Sequence, residues 1–479
     1  MALPLLLVAA LMIFDGVVGP QLAPKNLATV LTWVHYRGVV VLVLLLAGNL
    51  FCTACPFMLV RNGVRRFVRP GQGRLGPWPR RLRGKWLAAG LFALLLFAYE
   101  LFDLWAAPLW TAWLIAAYFI GAVVVDSFFA GFAFCKHVCP LGQFNFIAST
   151  LSPLEVKVRD HDVCAACPTK DCITGRRTAN NAETRHNTLS LDTGTNPKSK
   201  IENPKSIPGC QLWLFQPLKV GNVDCTFCLD CVHACPYDNV GIVTRVPGEE
   251  LGIDPRRSGI GRFSQRVDLA ALAVLFTFGA LLNAFAMVSP VYALEQWLAD
   301  ALGTTSELVV LGVIFAAGLV VVPGVLVAAA GWISSNKQGS PDRGSSLARA
   351  VQFSYALVPL GFGVWLAHYT FHFLTGFWTF VPVIQSFVAD VVGTALLGVP
   401  NWRMAALVPE AWLNPLELGF LGLGWFGSLL VAYQVAVREE PDRWWRVMAP
   451  WAVLVTALFL FAIWLMGQPM EMRGTFLAG

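Results

Sequence analysis

The chain has 479 residues, 56% of them hydrophobic and 13% charged, with a net charge of +6 and a mean hydropathy of +0.60. Soluble domains carry about a quarter charged residues, so this chain has too few charges to cover a water-facing surface. That excludes a soluble globular protein, leaves no role for nucleic acid, and implies an α-helical polytopic membrane protein in a lipid bilayer, with Trp and Phe suited to lipid-facing and interfacial positions.

About nine segments approach the ~20 apolar residues that a bilayer core requires. They run over 3–19, 28–51, 86–106, 108–134, 268–290, 306–332, 349–374, 415–437 and 447–466. The first is short and holds Asp15, yet it lacks the basic n-region of a signal peptide, so a retained helix is expected. Between the second and third, the loop from Leu59 to Lys85 holds Arg61, Arg65, Arg66, Arg69, Arg74, Arg80, Arg81, Arg83 and Lys85 and no acid. Such a run marks a cytoplasmic loop. It is expected to act through topology rather than as a contact for anionic lipid or a partner.

The same rule puts the hydrophilic segment 135–266 on the cytoplasmic side, with the loops holding Lys337, Arg343, Arg349 and Arg438, Arg443, Arg446. Loop 291–307, with Glu295, Asp300 and Glu307, lies on the outer side. Three domains follow: a four-helix membrane block over 1–134, an extramembrane domain over 135–266 and a five-helix membrane block over 267–479.

All 12 cysteines lie between Cys52 and Cys235, and such clusters indicate metal ligands rather than a disulfide framework. The strongest motif is Cys225-x2-Cys228-x2-Cys231-x3-Cys235-Pro236. Three thiolates of such a run serve one [4Fe–4S] cluster and the fourth serves its neighbour. Zinc sites favour two separated pairs instead. Cys164-x2-Cys167-x4-Cys172 lies upstream, and Cys210 completes a second set. Crossed ligation then assigns Cys164, Cys167, Cys172 and Cys235 to one cluster, and Cys210, Cys225, Cys228 and Cys231 to the other. The fold class is thus a polytopic helical membrane protein with an inserted ferredoxin-like 2x[4Fe–4S] domain. The long polar stretch between Cys172 and Cys210 is either a solvated excursion or a docking surface for a redox partner.

Two further pairs follow membrane helices. Helix two ends in Cys52-x2-Cys55-Pro56 and helix four in Cys135-x3-Cys139-Pro140, a weak internal repeat. Three readings stand for these thiols at one membrane face. They hold a third iron–sulfur centre, they work as dithiols activated by cations such as Lys136 and Arg61, or they are inert buried residues. The first is favoured.

With these residues in view, the chain resembles the membrane polyferredoxin family of the NapH/NosR/CcoG type over roughly 28–245. The four-helix block, the two Cys-Pro elements and the dicluster segment carry the resemblance. It implies a bacterial cytoplasmic (inner) membrane protein that moves electrons between the quinone pool and a redox partner, or that serves assembly of a metalloenzyme. The Cys-x2-Cys-Pro spacing of the first element and the last five helices depart from the family pattern.

Ionisable groups inside spans are functional candidates. His35 lies about 24 Å of helix rise from Cys52. His368 and His372 stand one turn apart, and Glu100 and Asp103 have a similar depth. These groups are candidates for a quinol site. Asp126, nearer the inner end, is a candidate beside a quinone head or in a proton relay. A b-type haem held by His35 with His368 or His372 is a weaker alternative, and interfacial histidines bonded to backbone are the ordinary one. The expected function is quinol-linked electron transfer to or from a cytoplasmic partner. The alternatives are a maturation factor that reduces metal or thiols, or a wiring subunit of a larger respiratory or photosynthetic complex.

Overall fold

The computed structural model describes residues 2–68, 76–177, 206–336 and 346–469. The chain is mostly helical. Among the described residues, 7 helical stretches are long and apolar enough to cross a bilayer, which makes this a multi-pass membrane protein. They are Leu27–Val64, Pro108–Phe128, Val267–Phe285, Glu307–Ser335, Ser346–Val392, Glu410–Glu439 and Trp444–Met466. The other two expected spans are shorter apolar helices, Ala2–Val18 with 17 residues and Trp86–Leu101 with 16. Proline opens several helices, as at Pro108, Pro140 and Pro290, where its missing N–H costs nothing and its fixed φ suits the first turn.

Asp15 ends the first helix as a connector. Its carboxylate accepts from Leu27 N at 2.6 Å, and its carbonyl accepts from Asn26 Nδ2 at 2.8 Å, so the acid is consumed in the turn to the next helix. Two elements were hidden from the apolar pattern. The expected outer loop 291–307 contains the helix Pro290–Leu302, in which Glu295 is 1% exposed. A further helix, Phe380–Val392, follows Val358–Gly376 through a short turn. Helices Val358–Gly376 and Leu413–Glu439 approach closely because Gly363 and Gly424 lie at the contact, where an added Cβ would stand 2.7 Å from a backbone carbonyl of the other helix.

The two Cys-Pro elements do not simply end their helices. After Ala47 the chain turns at Gly48, φ 60°, and folds back into the bundle as a short 3-10 segment. Phe51 thereby meets the Tyr36 ring at 5.6 Å. Helix Pro56–Val68 then runs back towards the domain-bearing end beside Pro108–Phe128. Phe57 packs on Tyr118 at 5.8 Å and Phe119 at 4.6 Å, and Arg61 pairs with Asp126 at 3.4 Å. The second element repeats the manoeuvre. The chain leaves Phe128, turns at Gly131 with φ 74°, and returns so that Phe134 lies 6.4 Å from the Tyr118 ring. Helix Pro140–Ala148 carries it out again. Each positive-φ glycine stands four residues before the first cysteine of its element. Both turns thus use the residue type that adopts this backbone without a Cβ penalty.

The segment that follows is short on regular structure. Strands Leu154–Val158 and Val240–Thr244 pair antiparallel, with Val156 opposite Ile242, and Arg176–Arg177 pairs with Ser206–Ile207. Arg245 ties this segment to the bundle, donating to Thr150 O at 2.7 Å and to Glu250 Oε1 at 2.8 Å. Residues 178–205, most of the polar stretch expected as a docking surface, lie outside the described residues, as do Arg69, Arg74, Lys337 and Arg343.

Candidate metal centres

All twelve cysteines are free thiols and fall into three neighbourhoods. Cys164, Cys167, Cys172 and Cys235 line one small cavity together with Asp171, Tyr237 and Asn239. Asn239 orders it, donating from its backbone N to Cys235 Sγ and from Nδ2 to Cys164 Sγ, each at 3.4 Å. Cys210, Cys225, Cys228 and Cys231 lie within electrostatic reach of one another, and Leu214 N donates to Cys210 Sγ at 3.4 Å. In the bundle, Cys135 lies within reach of Cys139, Cys55 and Cys52. There Gly142 N donates to Cys139 Sγ at 3.2 Å.

Hydrogen bonds stitch the neighbourhoods into a series. Cys210 N donates to Cys172 O at 2.8 Å, joining the first to the second. Asn49 Nδ2 donates to Cys225 O at 2.6 Å, joining the second to the first re-entrant turn. Asn145 Nδ2 stands 3.8 Å from Cys52 Sγ and links the two re-entrant elements. Cys52 is also within electrostatic reach of Cys225.

The backbone around the second set is unusual. Asp224, Phe227 and Leu229 all have positive φ, at 60°, 52° and 63°, although none is glycine. Left-handed residues interleaved with cysteines turn successive N–H groups towards one side, a concavity suited to anionic sulfur. Sequence reasoning had no signal at Phe227 and Leu229, because among common residues only glycine, asparagine and aspartate advertise that conformation.

Burial pushes the Cys172 thiol up to about 11 and the Cys228 thiol up to about 12, and raises Cys225 and Cys164 as well. These groups are neutral thiols at neutral pH unless a cation replaces the proton, so metal uptake here releases protons. Cys167 differs: the Lys170 N–H directed at it lowers its value. Among the described residues, no three His, Cys, Asp or Glu side chains converge as a single metal ion would require. A mononuclear site holds every thiolate about 2.3 Å from one centre. A cuboidal core spreads one thiolate to each iron, so it needs a wider set. Cys164, Cys167, Cys172 and Cys235 share one cavity, so four thiols face the same space there.

Arg61, one of the cations expected to activate the membrane-face thiols, lies within electrostatic reach of Cys55 and is also ion-paired. Arg61, 3% exposed, pairs with Asp126 at 3.4 Å, and Asp126 Oδ1 also accepts from Phe134 N at 2.9 Å. Asp126 is therefore a partner of Arg61 and an anchor of the second re-entrant turn. Lys85, 4% exposed, forms a buried ion pair with Asp224. Lys136 stands 3.8 Å from Asp224 Oδ2 and donates to Leu212 O at 2.9 Å. Burial alone would raise the Asp224 carboxyl; Lys85 and Lys136 outweigh it and hold the group below its ordinary value. Arg61 and Lys85 thus serve more than topology.

His35 is bonded to backbone: Nδ1 meets Val30 O at 3.1 Å and Nε2 meets Phe377 O at 2.9 Å. Both ring nitrogens face backbone carbonyls, and a neutral imidazole donates to one of the two. His368 and His372 meet edge to face, with ring centroids 5.0 Å apart. Both nitrogens of His368 and Nε2 of His372 are buried with no hydrogen-bond partner. Glu100 is buried near Arg37, and Asp103, φ 42°, sits in the turn after helix Trp86–Leu101, where its carbonyl accepts from Ala107 N at 2.9 Å. The separation of about 24 Å expected between His35 and Cys52 assumed a continuous helix. The fold-back at Gly48 shortens it, because the Tyr36 phenol lies within electrostatic reach of Cys55, Cys52 and Cys139.

No family model, no curated protein and no solved structure matches the chain.

Proposed function

We propose that this chain is an iron–sulfur electron-transfer protein of the bacterial cytoplasmic membrane, linking the quinone pool to a redox partner at its extramembrane segment. One observation carries the reading. The twelve cysteines form three neighbourhoods of four, bonded in series from the extramembrane segment to the interior of the bundle. In this reading Cys164, Cys167, Cys172 and Cys235 hold one [4Fe–4S] cluster, and Cys210, Cys225, Cys228 and Cys231 hold a second. Cys52, Cys55, Cys135 and Cys139 hold a third iron–sulfur centre. When bound, such clusters supply one-electron steps at potentials set by hydrogen bonds and solvent exposure.

The chain's own residues do the rest. Asn239, Leu214 and Gly142 aim N–H donors at sulfur, which stabilises a reduced, more negative centre. Asn49 fixes the second neighbourhood against the bundle. Phe227 and Leu214, each 1% exposed, keep water from the second neighbourhood. Tyr237, 52% exposed beside the first cavity, marks the end at which a soluble partner would meet the series.

The test is anaerobic purification of the intact chain, iron and sulfide quantitation, and addition of ubiquinol or menaquinol with low-temperature EPR as the readout. Iron near twelve per chain and quinol-dependent cluster signals support the reading. A metal-free protein, or one holding zinc alone, overturns it.

A further inference from the structure

We propose that Arg37, His368 and His372 form the binding site for the ring carbonyls of a quinone, at the seam between the first and last helical blocks. The inference rests on the quinone link proposed above and gives it a location. Arg37 follows directly after a π-helical turn, Val30–Tyr36, a helix defect that often accompanies functional positions. Its guanidinium is held by three aromatic rings: Trp33 and Tyr99 at 4.3 Å and Tyr369 at 4.8 Å. Tyr99 also takes one of its N–H groups. Cation–π contacts hold the charge without consuming the remaining donors. His372 and His368 both lie within electrostatic reach of Arg37.

A protein gains nothing by burying imidazole nitrogens without partners, since each unmade hydrogen bond costs about 1–3 kcal/mol. His368 is 1% exposed with both nitrogens unpartnered, and His372 Nε2 is buried and unpartnered as well, while Arg37 is half-buried. The charge nearby selects the ligand. A guanidinium disfavours a metal cation, whereas it favours acceptor oxygens. A neutral imidazole donates from one nitrogen and accepts at the other. It therefore serves a carbonyl of the oxidised ring and a hydroxyl of the reduced one. Depth selects further. Arg37 stands ten residues beyond Leu27, about 15 Å of helix rise, near the middle of a hydrocarbon core of about 30 Å. A lipid phosphate does not reach that depth; a quinone ring on an isoprenoid tail does.

The position also suits the proposed series. Tyr36 and Arg37 are successive residues. The Tyr36 ring is turned to Phe51 and the cysteines of the re-entrant turns, and the Arg37 side chain to Tyr99 and Tyr369. About 100° of helix rotation separates the two environments.

The experiment uses the iron-loaded full chain in phosphatidylcholine nanodiscs and measures equilibrium binding of a decyl-substituted benzoquinone. Arg37→Lys, His372→Gln and His368→Gln are compared with wild type, with iron content and cluster EPR recorded for each. Each variant should bind at least about tenfold more weakly, the loss of one good hydrogen bond, with iron and cluster signals unchanged. Wild-type affinity in all three variants overturns the site while leaving the quinone link intact. An absence of quinone binding to wild type overturns both. Competition by phosphatidylglycerol without binding of the quinone assigns the site to anionic lipid and also overturns the inference.

Discussion

Asn49 Nδ2 donates to the backbone carbonyl of Cys225 at 2.6 Å and to Ser149 Oγ at 3.1 Å, at a position where Asn49 itself is fully buried. One amide thus joins the turn that folds back into the membrane to the first cysteine of the strongest motif. Removing it strands the Cys225 carbonyl away from water. Asn49→Ala should cost about 1–3 kcal/mol, read as a lower thermal midpoint for iron release. If the two four-cysteine sets hold clusters as proposed, the one at Cys210, Cys225, Cys228 and Cys231 should be lost before the other. Equal loss of both would show that Asn49 does not hold this junction.

Asp126 and Arg61 supply a second test. Both are buried, and Asp126 also accepts from Phe134 N, the residue before Cys135. Removing one member of a buried pair leaves an uncompensated charge and costs about 3–5 kcal/mol, while replacing both with apolar residues is often neutral. Asp126→Ala should destabilise strongly, and Asp126→Ala with Arg61→Met should recover much of the loss. The double variant still lacks the acceptor for Phe134 N, so its deficit relative to wild type should be about 1–3 kcal/mol. Chemical denaturation in detergent measures all three. With Arg61→Met as the other single change, strict additivity would mean that the pair is not coupled.

The re-entrant turns depend on Gly48 and Gly131. A Cβ at Gly131 would stand 2.3 Å from Gln211 O and at Gly48 3.1 Å from Ser152 Oγ, and both residues have positive φ. Backbone strain of about 1–2 kcal/mol applies to each alanine, and Gly131→Ala adds a clash with backbone that cannot move aside. Gly131→Ala should therefore be the worse of the two, measured by expression of folded protein and by thermal midpoint. The reverse order would contradict the local geometry.

The membrane class and most helix positions were legible because apolar runs of bilayer length seldom occur outside a membrane. The grouping of Cys164, Cys167 and Cys172 with Cys235 in one cavity follows the spacing of the two motifs. The fold-back was not legible. Hydropathy counts residues and carries no direction, so 48–55 read as the end of a helix rather than its reversal. Helix Phe380–Val392 was hidden for a related reason: Gly376 and the following aromatic turn separate it from its neighbour, and its length falls short of a span. Arg37 was the signal left unused. A lone cation inside an apolar run has to find partners, and here they are aromatic rings, two of them drawn from helices distant in sequence. Glycines 48 and 131 gain meaning only once their positive φ is seen.

The three neighbourhoods differ enough in setting for single cysteine variants to separate them. Cys228 belongs to the extramembrane set and Cys139 to the set inside the bundle. If each neighbourhood holds one cubane, Cys228→Ala should convert or remove one cluster, while membrane insertion and the other centres persist. Cys139→Ala should instead lower the iron content from about twelve to about eight per chain, with both ferredoxin-type EPR signals retained, since each full cluster carries four irons. Unchanged iron in Cys139→Ala would assign the bundle thiols to dithiol chemistry or to packing. Unchanged iron and EPR in Cys228→Ala would undo the extramembrane ligand assignment. The two variants report on different helical elements, so one outcome does not prejudge the other. A bundle centre that failed this test would break the series at Cys225 and leave the site at Arg37 without a near neighbour to receive electrons.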